Sequence, residues 1–373
     1  MKISFISNFL IGIFFLAAST RVQANIRTVN NSPGGGAQYS SLQEAINACN
    51  PYDTLYIHAS STIYPAVSIV RPIVIFGEGA LPDQQYLFKT RIEGIYLSYS
   101  ADFQSNAGGS KIYGCHINGL TIGTGNVNGV SDIRIERNQI DILSFNQGEP
   151  PYYTLGIHNN IVAINNLIGN VYGLIMTNCV FFNNIMRDTS IQLQGSYNNV
   201  YANNVFIGNS QGLAGAQVIN NLFTKYLGDA QDNNIFGSNC SYVNNVFSNG
   251  ASFCSSCAIT QMNNIFNAGV IVTQSPYGQG TLWESGYSNY PNTLYPNFHL
   301  LSGSVGVGFG TDNTDVGIYG GAFPWVDYIS ADERFRYFSP PSQLPVLKEF
   351  NILNPAINPN GVISIQVKAK SQE

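Results

Sequence analysis

The chain of 373 residues carries little charge: 10% of its residues are charged and the formal net charge is −5. Nucleic-acid binding depends on clustered basic residues, so this acidic balance argues against a nucleic-acid partner. Asparagine, glycine, serine and tyrosine are abundant. This composition suits an exported protein that contacts sugars, although a repeat rich in turns needs asparagine and glycine in any case.

Residues 1–24 have the order of a secretory signal peptide. Lys2 precedes an apolar run over residues 9–18, and Val22-Gln23-Ala24 precedes Asn25. An uncleaved membrane anchor is the alternative, but the apolar run is short for a membrane span. We therefore expect a mature chain with no further membrane span, secreted, held at the cell surface or kept in the periplasm.

A short helix is predicted near the start of the mature chain. Ser41-Leu-Gln-Glu44 is a capping box. The apolar positions that follow share one helical face: Leu42, Ala45, Ile46 and Cys49. Strands are predicted at 54–58 and 66–76, so residues 25–80 are expected to cap one end of a larger fold.

One phrase then recurs about every twenty residues: an apolar residue, two free positions, asparagine, one free position and a second apolar residue. Its asparagines fall into two interleaved series. The first series runs Leu120, Asn138, Asn160, Asn178, Asn199, Ala216, Asn239 and Ala258. The second runs Asn126, Ser144, Asn166, Asn184, Asn204, Asn221, Asn245 and Asn264. Alternating residues between the corners predict short stacked strands, and asparagine tolerates the left-handed backbone of the corners.

This pattern resembles a right-handed parallel β-helix of the pectate-lyase-like superfamily, over about residues 27 to 325. The resemblance implies an all-β solenoid over residues 25–325 that begins with a short N-terminal capping helix. It also implies a closing segment at 297–325. Because the fold carries lyases, hydrolases, esterases, viral tailspikes and adhesive proteins, it does not fix the function.

One candidate site is a group of ionisable residues on a strand. Aligning the first series places Asn118, Glu136 and His158 in one outward column, with His116 and Arg134 in the column beside it. Asp132 lies farther along that strand, and Arg137 lies next to the corner. Lyases of this fold use an Arg or Lys base and carboxylates that hold calcium, so the resemblance makes Asp132, Arg134, Glu136, Arg137 and His158 catalytic candidates. The alternative is a solvated ladder of alternating charges.

A second candidate site lies on three long connections that leave one corner: 144–160, 184–199 and 221–239. Inserted loops on one face of a repeat protein often carry a binding site. They hold Tyr152 and Tyr153, suited to stacking on sugar rings, and Arg187 with Asp188. With His116, these residues are the predicted glycan-binding group. Ordinary loop variation is the alternative.

The cysteines and the C-terminal region complete the predictions. Cys254 and Cys257 favour a local disulfide or two buried thiols over a zinc site, and Cys179 and Cys240 are expected to be outward or half-buried. Asp312, Asn313 and Asp315 offer few oxygens for calcium, so backbone capping is preferred and no cofactor is expected. Residues 326–345 are a predicted linker, and 346–373 a strand pair or tail.

The sequence leaves two function classes open. The first is a non-catalytic extracellular or cell-surface protein that binds a polysaccharide or surface glycan. The second is a polysaccharide lyase or related enzyme that acts on an acidic glycan. The scarcity of lysine and arginine favours the first class, since binding a uronate chain usually needs several cations. The oligomeric state is left open.

Overall fold

A computed structural model describes residues 24–79, 89–100, 105–124, 129–145, 157–173, 176–191, 196–211, 213, 215–224, 234–235, 239–247, 252–253, 259–266, 272–274, 297–325, 346–352 and 365–370. In this part of the chain, strands dominate, and no helix has the length and apolarity to cross a membrane. The predicted signal peptide and linker lie outside it.

Two long parallel sheets build the body of the described chain, with eleven and ten strands. The first sheet contains, in spatial order, Ile26–Val29, Thr54–Ile57, Val74–Gly77, Lys111–Tyr113, Arg134–Glu136, Val162–Ile164, Val180–Phe182, Asn199–Ala202, Ala216–Ile219, Cys240–Val243 and Ile259–Met262. The second contains Val67–Ile69, Arg91–Ser100, His116–Thr124, Gln139–Phe145, Leu167–Gly173, Ile185–Ile191, Val205–Gln211, Leu222–Thr224 and Val246–Phe247, with Ser105–Asn106 antiparallel to Arg91–Ser100.

Successive coils contribute one strand to each sheet, as a solenoid requires. Two-residue strands at His158–Asn159 and Met176–Thr177 pair on a third, narrower side, and pairs also form between Asn234–Ile235 and Ser252–Phe253 and between Val272–Gln274 and Asn297–Leu300. The predicted right-handed parallel β-helix is therefore confirmed.

The predicted capping helix is also present, at Leu42–Ala48. The backbone N–H of Glu44 donates to the Ser41 hydroxyl at 3.3 Å, and Leu42, Ala45 and Ile46 are buried. The hydroxyl satisfies one of the donors that a helix start leaves without a partner. The helix packs next to the first strands, so the apolar end of the coil stack is covered there.

A ladder of asparagines, all buried except the last, links the coils at the second corner. Its members are Asn138, Asn166, Asn184, Asn204, Asn221, Asn245 and Asn264. Each Oδ1 from Asn166 onward accepts the backbone N–H and the Nδ2–H of the preceding member, at 2.8–3.2 Å. Buried amides are costly without partners, so the ladder fixes the coils in one register.

The ladder corrects the predicted register at its first member. Asn138 stacks on Asn166, not on Asn160 as the spacing suggested, and Ser144 pairs with Thr121 and Tyr172. The reason is a coil of unusual length, since Asp132 and Asn160 occupy equivalent corners 28 residues apart. Counting equal repeats across that coil shifted the alignment by part of a turn.

Residues 301–325, here called the strap, run back along the second corner rather than closing the last coil as predicted. Four corner asparagines donate to it: Asn244 to Phe309 O, Asn220 to Thr311 Oγ1, Asn203 to Asp315 O and Asn183 to Ile318 O. Outward positions of the second sheet beneath the strap are apolar: Leu167, Ile185, Val205, Leu222 and Val246. Val316, Ile318 and Trp325 cover them, because apolar surface gains free energy on leaving water.

Four cysteines are buried free thiols: Cys49, Cys115, Cys179 and Cys240. The expectation that Cys179 and Cys240 are outward or half-buried is wrong, because both are fully buried. Each follows a left-handed corner residue, Asn178 or Asn239, and the next side chain turns into the coil. Cys254 and Cys257 lie outside the described residues. At the C-terminus, Val346–Ile352 pairs antiparallel with Ile365–Lys370.

Candidate functional site

The predicted ionisable group separates into three parts. Arg134 and Glu136 share a strand of the first sheet, where the Arg134 Nε donates to Glu136 Oε2 at 2.9 Å. Arg137 Nε lies 3.5 Å from Glu136 Oε1. One carboxylate thus holds both guanidinium groups, as in the solvated ladder considered above, and Asp132 accepts from Asn160 Nδ2 at 2.6 Å.

His158 does not stand in a column with Glu136. The partners of Glu136 in neighbouring coils are Tyr113 and Ile164, whereas His158 pairs with Met176 on the third side. The His158 ring is fully buried, 6.0 Å from the ring of Phe145. The predicted outward position is wrong because the alignment placed Asn138 in the wrong series.

The predicted loop residues have a mixed outcome. Tyr152 and Tyr153 lie outside the described residues. Arg187 and Asp188 were expected in a projecting connection, but their backbone belongs to the strand Ile185–Ile191 of the second sheet. Their contribution to glycan binding stays a prediction.

His116 lies on the second sheet, in a cluster that the sequence did not assemble. Its Nε2 is 3.0 Å from Asp141 Oδ1 and 3.2 Å from Oδ2, across one strand boundary. Arg91, which pairs with His116 on the next coil, donates from Nε to Asn118 Oδ1 at 3.3 Å. These residues and Lys89, two residues before Arg91, are called the Lys89 cluster below.

Burial controls the charges of this cluster. It lowers the pKa of His116 to about 4, against the hydrogen bond with Asp141, which raises it. Burial also lowers the pKa of Lys89 to about 8, and the charge of Arg91 acts in the same direction, while Asp141 opposes both. The imidazole is therefore neutral at neutral pH, and Lys89 can exchange a proton near that pH. Such groups are typical of functional sites but also occur in structural networks.

The cluster lies beside an open polar surface. Along the far half of the same strands, one outward column contains Tyr96, Thr121, Ser144 and Tyr172. Tyr96 and Tyr172 are 43% and 44% exposed. Three strand spacings separate them, about 14 Å. This column is called the tyrosine face below.

A glycine keeps the space next to Asp141 open. In the following coil the residue opposite Asp141 is Gly169, because Ile140 pairs with Ile168 and Ile142 with Asn170. A Cβ at Gly169 would collide with the Asp141 carbonyl oxygen, so no other residue fits there. The carboxylate of Asp141 consequently has no side chain above it in that column.

Three members of the cluster were missed from the sequence. Lys89, Arg91 and Asp141 carry no motif, and Asp141 lies two coils after Lys89 and Arg91. The alternation of Arg91 with Glu93 on one strand was the only local signal. Only the correct pairing of the strands Arg91–Ser100, His116–Thr124 and Gln139–Phe145 could have brought them to His116.

The two carboxylates that were considered as calcium ligands, Asp312 and Asp315, lie in the strap and accept hydrogen bonds from it. Asp312 Oδ1 accepts the Thr314 backbone N–H at 3.1 Å and its hydroxyl at 2.7 Å. Asp315 Oδ1 accepts the Gly308 N–H at 2.9 Å. Among the described residues no group of three or more His, Cys, Asp or Glu side chains is arranged to hold a metal ion. Both carboxylates thus cap backbone turns.

Comparisons with known proteins add little to this geometry. No family model and no curated protein matches the chain. One similar solved structure is the pectin methylesterase from Aspergillus niger, with 13% sequence identity and a TM-score of 0.28. The match covers 65% of this chain and 86% of the esterase. The fold is established by the strand pairing described above, and the function has to be argued from the residues.

Proposed function

We propose that this protein is an exported, non-catalytic polysaccharide-binding protein whose ligand lies across the tyrosine face. The observation that carries the proposal is the exposed pair Tyr96 and Tyr172, with the hydroxyls of Thr121 and Ser144 between them. Tyrosine offers an apolar ring face and a polar tip, and hydroxyls both donate and accept hydrogen bonds. A flat row of this kind suits a chain of sugar rings.

The second sheet also suits a rigid platform. Its strands pair continuously from Arg91–Ser100 to Leu167–Gly173 beneath the tyrosine face. Side chains on such strands are held in place before the ligand arrives, so less conformational entropy is lost on binding. Tyr152 and Tyr153 follow the strand Gln139–Phe145 in the chain, and they supply further stacking groups in this proposal.

Retention of the full mature chain in gels that contain different polysaccharides tests the proposal. Tyr172→Ala and Tyr96→Ala should each weaken retention by about tenfold, the equivalent of about 1.4 kcal/mol. Tyr197→Ala is the matched control, because Tyr197 is 52% exposed but lies on the third side. Equal retention of all three variants would reject the tyrosine face as the binding surface.

The Lys89 cluster supports a second candidate, lyase action on an acidic glycan. A neutral Lys89 amine would accept the proton from the carbon next to a uronate carboxylate, and Arg91 would pair with that carboxylate. The C–H electron pair then forms the carbon–carbon double bond, the glycosidic C–O bond breaks, and the leaving oxygen takes a proton from water. The low pKa of Lys89 favours this role.

An absorbance assay for unsaturated products separates the two candidates. Incubation with uronate polysaccharides should give new absorbance that rises with pH through about 8 and disappears in Lys89→Met. Lys111→Met, an exposed lysine on the first sheet, is the control. Absence of product from the wild-type chain would exclude lyase action and leave the binding proposal untouched. Catalytic roles for Asp132, Arg134, Glu136 and Arg137 would be tested in the same assay.

A further inference from the structure

The first corner of the coils carries a row of left-handed residues. Its members are Asp132, Asn160, Asn178, Asn198, Gly215 and Asn239. The four asparagines of the row are exposed. A single position breaks the row of side chains, and that position is Gly215.

Packing excludes any other residue at this position. Gly215 has φ +62°, and a Cβ there would lie 2.5 Å from the carbonyl oxygen of Ser196. Asparagine tolerates the backbone angle, but it would collide with that oxygen. The gap between Asn198 and Asn239 is therefore imposed by how closely these two coils approach each other.

A shallow surface depression of about 460 Å³ lies beside Gly215 and is called the corner cavity. This volume falls within the range of small-ligand sites. Its polar lining consists of Asn198, Gln217, Asn239, Ser241 and Thr260. The remaining lining residues are Gly215, Ala216, Cys240 and Ile259.

The chemistry of the lining selects an uncharged, hydroxyl-rich ligand. None of the lining residues carries a carboxylate, ammonium or guanidinium group, and burial raises the pKa of the Cys240 thiol, which stays neutral. Amides and hydroxyls both donate and accept hydrogen bonds, as the hydroxyls of a sugar require. Gln217 and Thr260 are exposed at the cavity, so their polar groups are accessible to a ligand.

We propose that the corner cavity binds one sugar unit of an uncharged polysaccharide. Asn198 and Asn239 flank the unit along the coil axis, and Gln217, Ser241 and Thr260 face it from the first sheet. The exposed asparagines on neighbouring coils, about 4.8 Å apart, extend the polar row toward the next sugars. The corner cavity uses none of the residues of the tyrosine face, so the two sites are independent.

Hydrogen exchange of the full mature chain tests this site by location. The probes are two neutral oligosaccharides, cellohexaose and mannohexaose, with an oligogalacturonide as the acidic comparison. A neutral probe should slow exchange in peptides that span residues 215–217 and 239–243, whereas the oligogalacturonide should not. Tyr172→Ala should leave this protection unchanged, which separates the corner cavity from the tyrosine face.

Two variants probe the lining. Gln217→Ala should weaken the protecting effect about tenfold through loss of its hydrogen bonds. Thr260→Trp should abolish it by filling the cavity, and Lys111→Trp, an exposed position in the same outward column of the first sheet, should not. The proposal is overturned if neither neutral probe protects these peptides, if Thr260→Trp leaves protection intact, or if the acidic probe protects equally.

Discussion

The asparagine ladder makes a prediction that depends on position. Asn204 is fully buried, and its Oδ1 accepts from Asn184 N at 2.9 Å and from Asn184 Nδ2 at 3.1 Å. Its own Nδ2 donates to Phe181 O at 2.8 Å and to Asn221 Oδ1 at 3.0 Å. Asn204→Ala removes all four bonds from the middle of the stack.

The Asn184 backbone N–H is left without its buried partner, and the Phe181 carbonyl keeps only its donor within the sheet. At about 0.5–1.5 kcal/mol for each of the four lost bonds, the free energy of unfolding should fall by about 2–6 kcal/mol. Asn264 ends the ladder and is partly exposed, so water can replace its amide. For Asn264→Ala we expect a loss of about 1–2 kcal/mol.

Urea unfolding followed by circular dichroism measures both losses. Gln217→Ala, an exposed position on the neighbouring sheet, controls for loss of an amide as such. If Asn204→Ala and Asn264→Ala destabilise the protein equally, or if Asn204→Ala costs less than about 1 kcal/mol, the ladder does not hold the coils together as argued.

Three further predictions concern the strap, the His58–Glu78 pair and the buried His116. Trp325→Phe loses the bond from the indole N–H to Asn183 O, 2.6 Å long, and should loosen the strap by about 1–3 kcal/mol in hydrogen exchange of residues 301–325. Burial raises the pKa of Glu78, but hydrogen bonds, above all the one with His58, lower it further, so the pKa lies below 4.5. The same hydrogen bond raises the pKa of His58 above 6.5. Their pair should therefore stabilise the N-terminal cap most between about pH 4.5 and 6.5, measured as exchange of residues 56–59. His116 has its pKa lowered to about 4, so stability present above pH 6.5 should fall by up to about 3 kcal/mol as the pH drops toward 4.

Each of these has a distinct contrary result. Unchanged strap exchange in Trp325→Phe would mean that apolar contacts alone hold the segment. Cap exchange that Glu78→Gln leaves equally dependent on pH would show that the pair with His58 is not responsible. A His116→Gln variant that still loses stability between pH 6.5 and 4 as the wild type does would assign that loss to other groups.

The repeat could be predicted from the sequence because its signals are local. Asparagine at a left-handed corner, followed by an apolar inward residue, is a signal that lies within a single coil, as at Asn160 and Asn178. The capping helix was legible for the same reason, since Ser41 and Glu44 lie within one turn. The length of each coil could not be predicted, because long insertions on the outside of a solenoid cost little loop-closure free energy.

The unknown coil length determined which residues the sequence alignment brought together in the candidate site. Because the sequence alignment was shifted at Asn138, it placed Glu136 next to His158. In the structure His158 is buried, and His116 contacts Asp141 on the second sheet. Charge alternation at Arg134 and Glu136 was correctly seen, and the two side chains bind each other. Which residues of neighbouring coils lie next to Arg134 and Glu136 depended on how the strands of those coils pair.

The sequence by itself determined a parallel β-helix with a capped N-terminus, because corner and strand preferences repeat within a few residues. The tertiary structure decided which coils stand beside which, how the strap covers Leu167 and its apolar neighbours, and where Lys89, His116 and Asp141 meet. Those contacts join residues one or more coils apart, and only hydrogen bonds between stacked amides and the burial of apolar columns fix them.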